Sequence, residues 1–275
     1  MRNRIAAFIL GLLAVTAAYA APAPITVPNI ATLTASNFSS YPTVQVLGYY
    51  TAGDGGGGIF NWNSASTATT DVCMTFQTGG LSTGRFVRAL GGAPLSLLMC
   101  GVKADGSTNN TTAIQAAFTS AAANNLGEVF CPNSSGVINF ASTVVPTSAV
   151  SLRGAGSNAK PYLGLGTGGA PGTCTLNYTG ASGWAFDYQT PVVTGVACPN
   201  AVAPSFRNFN LNIASTGSGI RLNNSATAGF TDNCALSSGQ STLFGSTMDG
   251  LVITGNASGS VGIQVSKAFD TTISN

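Results

Sequence analysis

The chain has 275 residues, ten Lys and Arg against eight Asp and Glu, no histidine, and charged residues at only 7%. Soluble domains ordinarily carry about a quarter charged residues, so Ser, Thr, Asn and Gly must cover this surface, which suits neutral hydroxylated ligands better than polyanions. A net charge of +2 with no basic stripe excludes electrostatic capture of nucleic acid, and the missing imidazoles exclude Ser-His-Asp, Cys-His and His-zinc chemistry.

Arg2 and Arg4 precede an apolar run from Ile5 to Ala17, and Ala18-Tyr19-Ala20 forms an A-x-A cleavage site. This pattern predicts a secretory signal peptide over residues 1–20. The run is shorter than the ~20 residues that a membrane span needs, and no later window is apolar enough. The expected product is secreted or held at the cell surface, with no membrane span. Export agrees with six cysteines: Cys73, Cys100, Cys131, Cys174, Cys198 and Cys234. An even number in an exported chain predicts disulfides, with 15 pairings open.

Residues 21–30 read as a Pro-rich lead. Residues 31–92 read as a small β module: Val44-Gln45-Val46-Leu47-Gly48-Tyr49-Tyr50, a loop with Gly55 to Gly58 in a row, then Ile59-Phe60-Asn61-Trp62 and, later, Arg85-Phe86-Val87-Arg88. Alternation on both sides of a glycine turn predicts strand, loop, strand. No Gly-Lys-Ser/Thr follows the glycines, so a phosphate cradle is not expected; a tight turn or a subunit contact is. The string V-L-G-Y-Y-x-x-G-D-G-G-G-G-x-F-x-W resembles a module that precedes the β-helix in phage tailspike-like and exported bacterial proteins.

Residues 96–275 open with Asp105-Gly106, a polar cluster, and an amphipathic helix. Thr112 and Gln115 have capping-box spacing, and Ile114, Ala117 and Phe118 share one helical face. Short alternating runs follow, among them Val129–Pro132, Val150–Leu152, Cys174–Tyr178, Phe206–Ile213, Gly219–Leu222, Gly250–Ile253 and Gly262–Val265. With ~20–25 residues per coil, Phe209 to Leu251 and Gly219 to Gly262 each span roughly two coils. Segments 163–173 and 225–247 carry little strand pattern and are expected to project as loops. The whole run, with G-V-K-A-D-G-S-T-N-N-T-T-A-I-Q-A-A and L-R-G-A-G, resembles the start of the pectate-lyase-like and rhamnogalacturonase-epimerase-like right-handed β-helix superfamily. The resemblance implies a mostly β protein: a right-handed parallel β-helix, incomplete at Asn275, capped by a short N-terminal helix and preceded by a small β module.

It also implies a polysaccharide substrate, cleaved by a lyase or a hydrolase in a full-length parent whose catalytic coils lie beyond Asn275. The other reading is a non-catalytic, tailspike-like surface or structural protein that binds glycans, with a homotrimer covering its own open end. Hydrolysis needs two carboxylates. Asp249 and Asp270, twenty-one residues apart, are the pair with coil-like separation and are the expected catalytic residues. Trp184, Asp187 and Tyr188, together with Arg207, are the expected substrate contacts. Asp105 is expected to shape a turn. No cofactor is required; Ca²⁺ is the one considered, and it needs several oxygen ligands. Relatives usually carry aspartates where this chain has Asn109 and Asn110, which removes charge from any cation site there.

Overall fold

The computed structural model describes residues 25–133, 136–146, 150–156, 173–189, 201–223, 243–255, 260–266, 268–269 and 271–274. The expected signal peptide, Cys198, Cys234 and Asp270 therefore lie outside the described residues, as does most of the two segments expected as loops.

The first unit contains β1 (Ile25–Val27), α1 (Ile30–Ala35), β2 (Thr43–Val46), β3 (Gly58–Asn63), β4 (Thr75–Phe76) and β5 (Arg85–Ala89), in one sheet of order β1-β2-β3-β5-β4. β1 and β2 run parallel because α1 provides the crossover; every later pairing is antiparallel. The Oδ1 of Asn29 accepts from the Thr32 N–H at 2.9 Å and so caps α1. The β-branched Ile25-Thr26-Val27 thus forms a strand within the stretch expected as a Pro-rich lead. Val27, Leu33, Val44, Val46, Phe60, Phe76 and Phe86 fill the core.

The loop between β2 and β3 is held by one carboxylate. Asp54 accepts backbone N–H bonds from Tyr49, Tyr50, Thr51 and Gly56 at 2.7–3.0 Å. A Cβ on Gly56 would meet the Leu98 carbonyl oxygen and the Tyr49 Cβ at 2.5 Å, and one on Gly57 would meet the Val46 oxygen at 2.4 Å. The glycine string is therefore a close approach to the second unit of the same chain.

The second unit is a parallel β-helix. Its first face stacks Leu95–Ser96, Glu128–Cys131, Ser151–Gly154, Phe206–Arg207, Thr247–Asp249 and Thr272–Ser274. Its second face stacks Ile138–Phe140, Thr175–Tyr178, Asn210–Ile213 and Val252–Gly255, and its third Trp184–Gln189, Ser218–Asn223 and Ile263–Ser266. Three two-residue strands, Ala201–Val202, Leu243–Phe244 and Ala268–Phe269, make a fourth. Leu243, Phe244 and Thr247 are thus strand residues at the end of a segment expected to loop out. All pairings are in parallel register, so alternate side chains of successive coils form columns running inward or outward. Inward columns such as Leu152–Phe206–Met248 and Ile138–Leu176–Leu211 build one core. Phe186 lies 5.6 Å from the Phe140 ring and 5.4 Å from the Phe206 ring.

Register corrects the expected coil length. Asn212 stands directly beside Thr254, forty-two residues on, and Ile220 beside Ile263. Each separation is one coil, not two. A corner recurs between the first two faces: Asn208 at φ 58° and Gly250 at φ 59° are left-handed, and the Asn208 N–H donates to the Asp249 carbonyl at 2.9 Å. Asn is among the few side chains that tolerate this conformation.

The helix α2 (Thr111–Ala123) seals the solenoid's mouth, burying Ile114, Ala117, Phe118 and Ala121, with the Phe118 ring 6.3 Å from Phe186. The expected capping box does not form. Asn110 occupies the cap position, and Gln115 instead clamps the first coil: its Nε2 donates to the Val145 carbonyl and its Oε1 accepts from the Val145 N–H, both at 2.8 Å. Asp105 makes a turn, accepting from the Ser107 and Thr108 N–H groups and from the Thr108 hydroxyl. The last of these leads the contacts that hold its carboxyl well below the usual range.

The two units are joined tightly. A Cys73–Cys100 disulfide crosses between them, and Cys131–Cys174 ties two coils. Arg88, 3% exposed, donates to the carbonyls of Cys73, Gly57, Gly56 and Met99 and stacks on Phe60 at 4.5 Å. Burial pulls its pKa down to about 10. The Ser120 hydroxyl of α2 donates to Asp71 at 2.7 Å, and the Tyr50 hydroxyl donates to the Gly101 carbonyl. Cys73 and Met74 pack in the solenoid's core.

Candidate functional site

The solenoid's outward columns carry its polar chemistry, and each face carries a different kind. On the second face, Asn177 Nδ2 donates to Asn139 Oδ1 at 2.8 Å, Asn212 Nδ2 to Asn177 Oδ1 at 2.8 Å, and Thr254 Oγ1 to Asn212 Oδ1 at 3.1 Å. This amide ladder was not singled out in the sequence. Its signal is an Asn between two apolar residues in Ile138-Asn139-Phe140, Leu176-Asn177-Tyr178 and Leu211-Asn212-Ile213, but the uneven separations of 38, 35 and 42 residues hide it.

On the third face, Asp187 and Arg221 are register partners on adjacent coils. Arg221 reaches back with a two-point contact, Nε to Oδ1 at 2.8 Å and an Nη to Oδ2 at 2.5 Å. That contact raises the Arg221 pKa further. Asp187 is 7% exposed, and the guanidinium lies 5.3 Å from the Trp184 ring. Trp184, Asp187 and Arg221 therefore form one cluster. Tyr188 does not join it. Consecutive strand residues face opposite sides, so Tyr188 points into the core, 1% exposed, with its hydroxyl donating to the Val202 carbonyl; burial raises its pKa. Tyr178 is likewise a core residue.

On the first face, the outward column runs Phe130, Arg153, Arg207, Asp249 and Ser274. Arg153 pairs with Glu128 at 2.9 Å and stacks over Phe130 at 4.7 Å. Asp249 accepts from the Ser274 hydroxyl at 2.8 Å. The rung partners of Asp249 are Arg207 and Ser274. Its expected carboxylate partner, Asp270, lies outside the described residues.

Catalytic chemistry can be judged from these positions. Glu128 and Asp187 each face an arginine, and Asp249 faces an arginine and a serine. Among the described residues no two carboxylates stand on neighbouring rungs of one column, and no cluster of three or more His, Cys, Asp or Glu gathers that could hold a metal. What the surface offers is hydrogen bonding, ordered in columns at ~4.8 Å intervals.

Comparison with known proteins agrees with this architecture. Residues 26–91 match the phage tail protein small four-stranded β-sheet domain. Among solved structures, the chain resembles tailspike protein gp49 of Acinetobacter baumannii bacteriophage Fri1, a capsular polysaccharide depolymerase. The TM-score is 0.56 at 17% identity, over 84% of this chain and 38% of that one. It also resembles tailspike protein 2 of an Escherichia coli O157:H7 bacteriophage, with a TM-score of 0.52 at 14% identity, over 84% of this chain and 30% of that one. These likenesses establish a tailspike-like parallel β-helix fold. The chain spans less than two fifths of either tailspike. No curated protein matches it in sequence. No helix among the described residues is long and apolar enough to cross a membrane.

Proposed function

We propose that this chain is a tailspike-like polysaccharide-binding protein, whose solenoid presents its outer columns to an extended glycan. The observation that carries the reading is the outward amide ladder Asn139–Asn177–Asn212–Thr254 on a rigid parallel stack. Amides repeated at a fixed interval on a surface with little charge suit hydroxyl-rich chains, and the Trp184 ring on the next face offers an apolar platform for a sugar. The gp49 likeness to a capsular polysaccharide depolymerase supports the same ligand class. Binding is preferred to cleavage because the described residues assemble no carboxylate pair. The pectate-lyase-like affinity, export through residues 1–20 and a trimeric assembly belong to this proposal as its further parts, and cleavage by a lyase or hydrolase is its alternative.

The test is affinity electrophoresis of the full chain through gels cast with purified polysaccharides, alongside assays for new reducing ends and for unsaturated product. Retardation without product supports binding. Release of product moves the reading to an enzyme. Free migration in every gel ends it.

A further inference from the structure

A cleft of about 430 Å³ opens in the first unit and is lined by residues of that unit alone. Ile30, Tyr49, Val72 and Phe76 supply apolar surface, and Thr70 and Asp71 supply polar groups. Sites for small molecules are typically concavities of about 300–1,000 Å³ with a mainly apolar lining and a few placed polar groups.

The Tyr49 hydroxyl has nothing to bond to. The hydroxyls of Tyr50, Tyr178 and Tyr188 each donate to a backbone carbonyl, whereas that of Tyr49 meets no partner among the described residues, although the side chain is half-buried. The ring is held in place. A Cβ on Gly56 would meet the Tyr49 Cβ at 2.5 Å, one on Gly101 would meet Cε1 and Cζ at 2.7 and 2.8 Å, and the Tyr49 N–H donates to Asp54. Burial raises the phenol's pKa, so it stays a neutral donor.

Asp71 is fixed as firmly. Its Oδ1 accepts from the N–H groups of Cys73, Met74 and Thr75 at 2.5–2.9 Å, while its Oδ2 accepts the Ser120 hydroxyl alone. A carboxylate oxygen has two lone pairs, so Oδ2 can take a further donor. No other charged residue lines the cleft. Behind Asp71 stands Arg88: Cys73 gives its N–H to the acid and its carbonyl to the guanidinium. The two charges oppose each other across one residue, which disfavours a cationic ligand, and Asp71 itself disfavours an anion. A neutral ring with a C–H face and a hydroxyl edge fits both kinds of surface, the face against aromatic and aliphatic groups and the edge on Tyr49 and Asp71.

We infer that this cleft binds a single neutral sugar ring, giving the first unit a carbohydrate site of its own. The site is separate from the solenoid's outer columns and does not depend on them. Its walls are set before any ligand arrives, which lowers the ordering cost of binding.

The experiment is ligand-observed NMR and calorimetry on the full chain with methyl glycosides of glucose, galactose, mannose and N-acetylglucosamine, and with the charged methyl glucuronide and methyl glucosaminide. At least one neutral glycoside is expected to bind at about millimolar affinity, several-fold tighter than either charged one. Tyr49→Phe removes only the unpartnered hydroxyl. It is expected to weaken binding about two- to tenfold, the scale of one neutral hydrogen bond, without moving the melting temperature. Val72→Trp sets a large side chain at an exposed position of the lining and is expected to abolish binding; each variant carries the test if the other does not fold. No binding of any neutral glycoside, equal or tighter binding of a charged one, or binding untouched by either variant overturns the cleft. Polysaccharide retardation in gels without glycoside binding ends the cleft and leaves the solenoid reading standing. Glycoside binding that both variants weaken, without retardation in any gel, upholds the cleft and ends the solenoid reading.

Discussion

The two units use their few charges in opposite ways. In the N-terminal unit, Asp54, Asp71, Arg85 and Arg88 bind backbone: Asp54 and Asp71 gather loop N–H groups, and the two arginines collect carbonyls. In the solenoid, Glu128, Arg153, Asp187 and Arg221 bind one another across rungs, on the outside. Inward charges hold irregular loops whose polar groups no sheet satisfies. Outward charges stand on a backbone that the ladder has already satisfied, so they pair with side chains of neighbouring rungs instead. The first unit turns its charges on its own backbone, and the second turns them on side chains of adjacent coils.

The largest test of that contrast asks whether the two units melt together. Phe186→Ala removes an aromatic at the centre of the solenoid core and is expected to cost about 3–5 kcal/mol. The chain's two tryptophans report on the two units, Trp62 on β3 and Trp184 on the third face. Both fluorescence signals are expected to lose stability together in urea; a Trp62 transition that does not move would make the units independent. Next, Cys73→Ser opens a cross-link with a sequence separation of 27, expected to cost about 3–4 kcal/mol. The check is a urea melt with and without reductant: both proteins lose the Cys131–Cys174 contribution, and the parent is expected to lose about 3–4 kcal/mol more than the variant.

Asp54→Asn is a smaller probe, expected to cost about 1–3 kcal/mol by weakening four amide contacts. Burial raises the Asp54 pKa, yet the amides of Thr51, Gly56, Tyr50 and Tyr49 outweigh it and hold the value below normal. A depressed carboxyl contributes stability that is present above its unfolded pKa of 3.8 and lost as pH falls through its folded value. The parent is therefore expected to lose stability from about pH 4 downward, with a shallower loss in the variant, read by thermal melts. Smallest is Asn177→Ala, which breaks the ladder on a surface already satisfied by strand pairing. About 1 kcal/mol of stability is expected, with a larger proportional loss in glycan affinity. Unchanged affinity would make the ladder purely structural.

Much of this architecture was legible in the chain because it rests on local pattern. Ile114, Ala117 and Phe118 announced a buried helical face by their spacing, Asp105-Gly106 a turn, and Ile-Asn-Phe or Leu-Asn-Tyr a strand facing two ways. Register was not legible. It depends on the number of residues between rungs, so Phe209 to Leu251 read as two coils, where Asn212 and Thr254 at the same forty-two-residue separation stand on adjacent coils. The expected partner of Asp249, Asp270, lies outside the described residues. Gln115 had the spacing of a cap, but a tertiary partner, the Val145 backbone, took it. Tyr188 was placed beside Asp187 by adjacency in sequence, where alternation turns it inward.

The covalent tie between Cys73 and Cys100 has a practical consequence for anyone producing this protein. Both thiols close onto each other inside a seam 0% and 1% exposed, so an oxidant must act before that seam has shut. Recombinant material made in a reducing cytosol should emerge with the joint between head and rod unfastened, and it should be refolded under air or a glutathione pair before any carbohydrate assay is attempted.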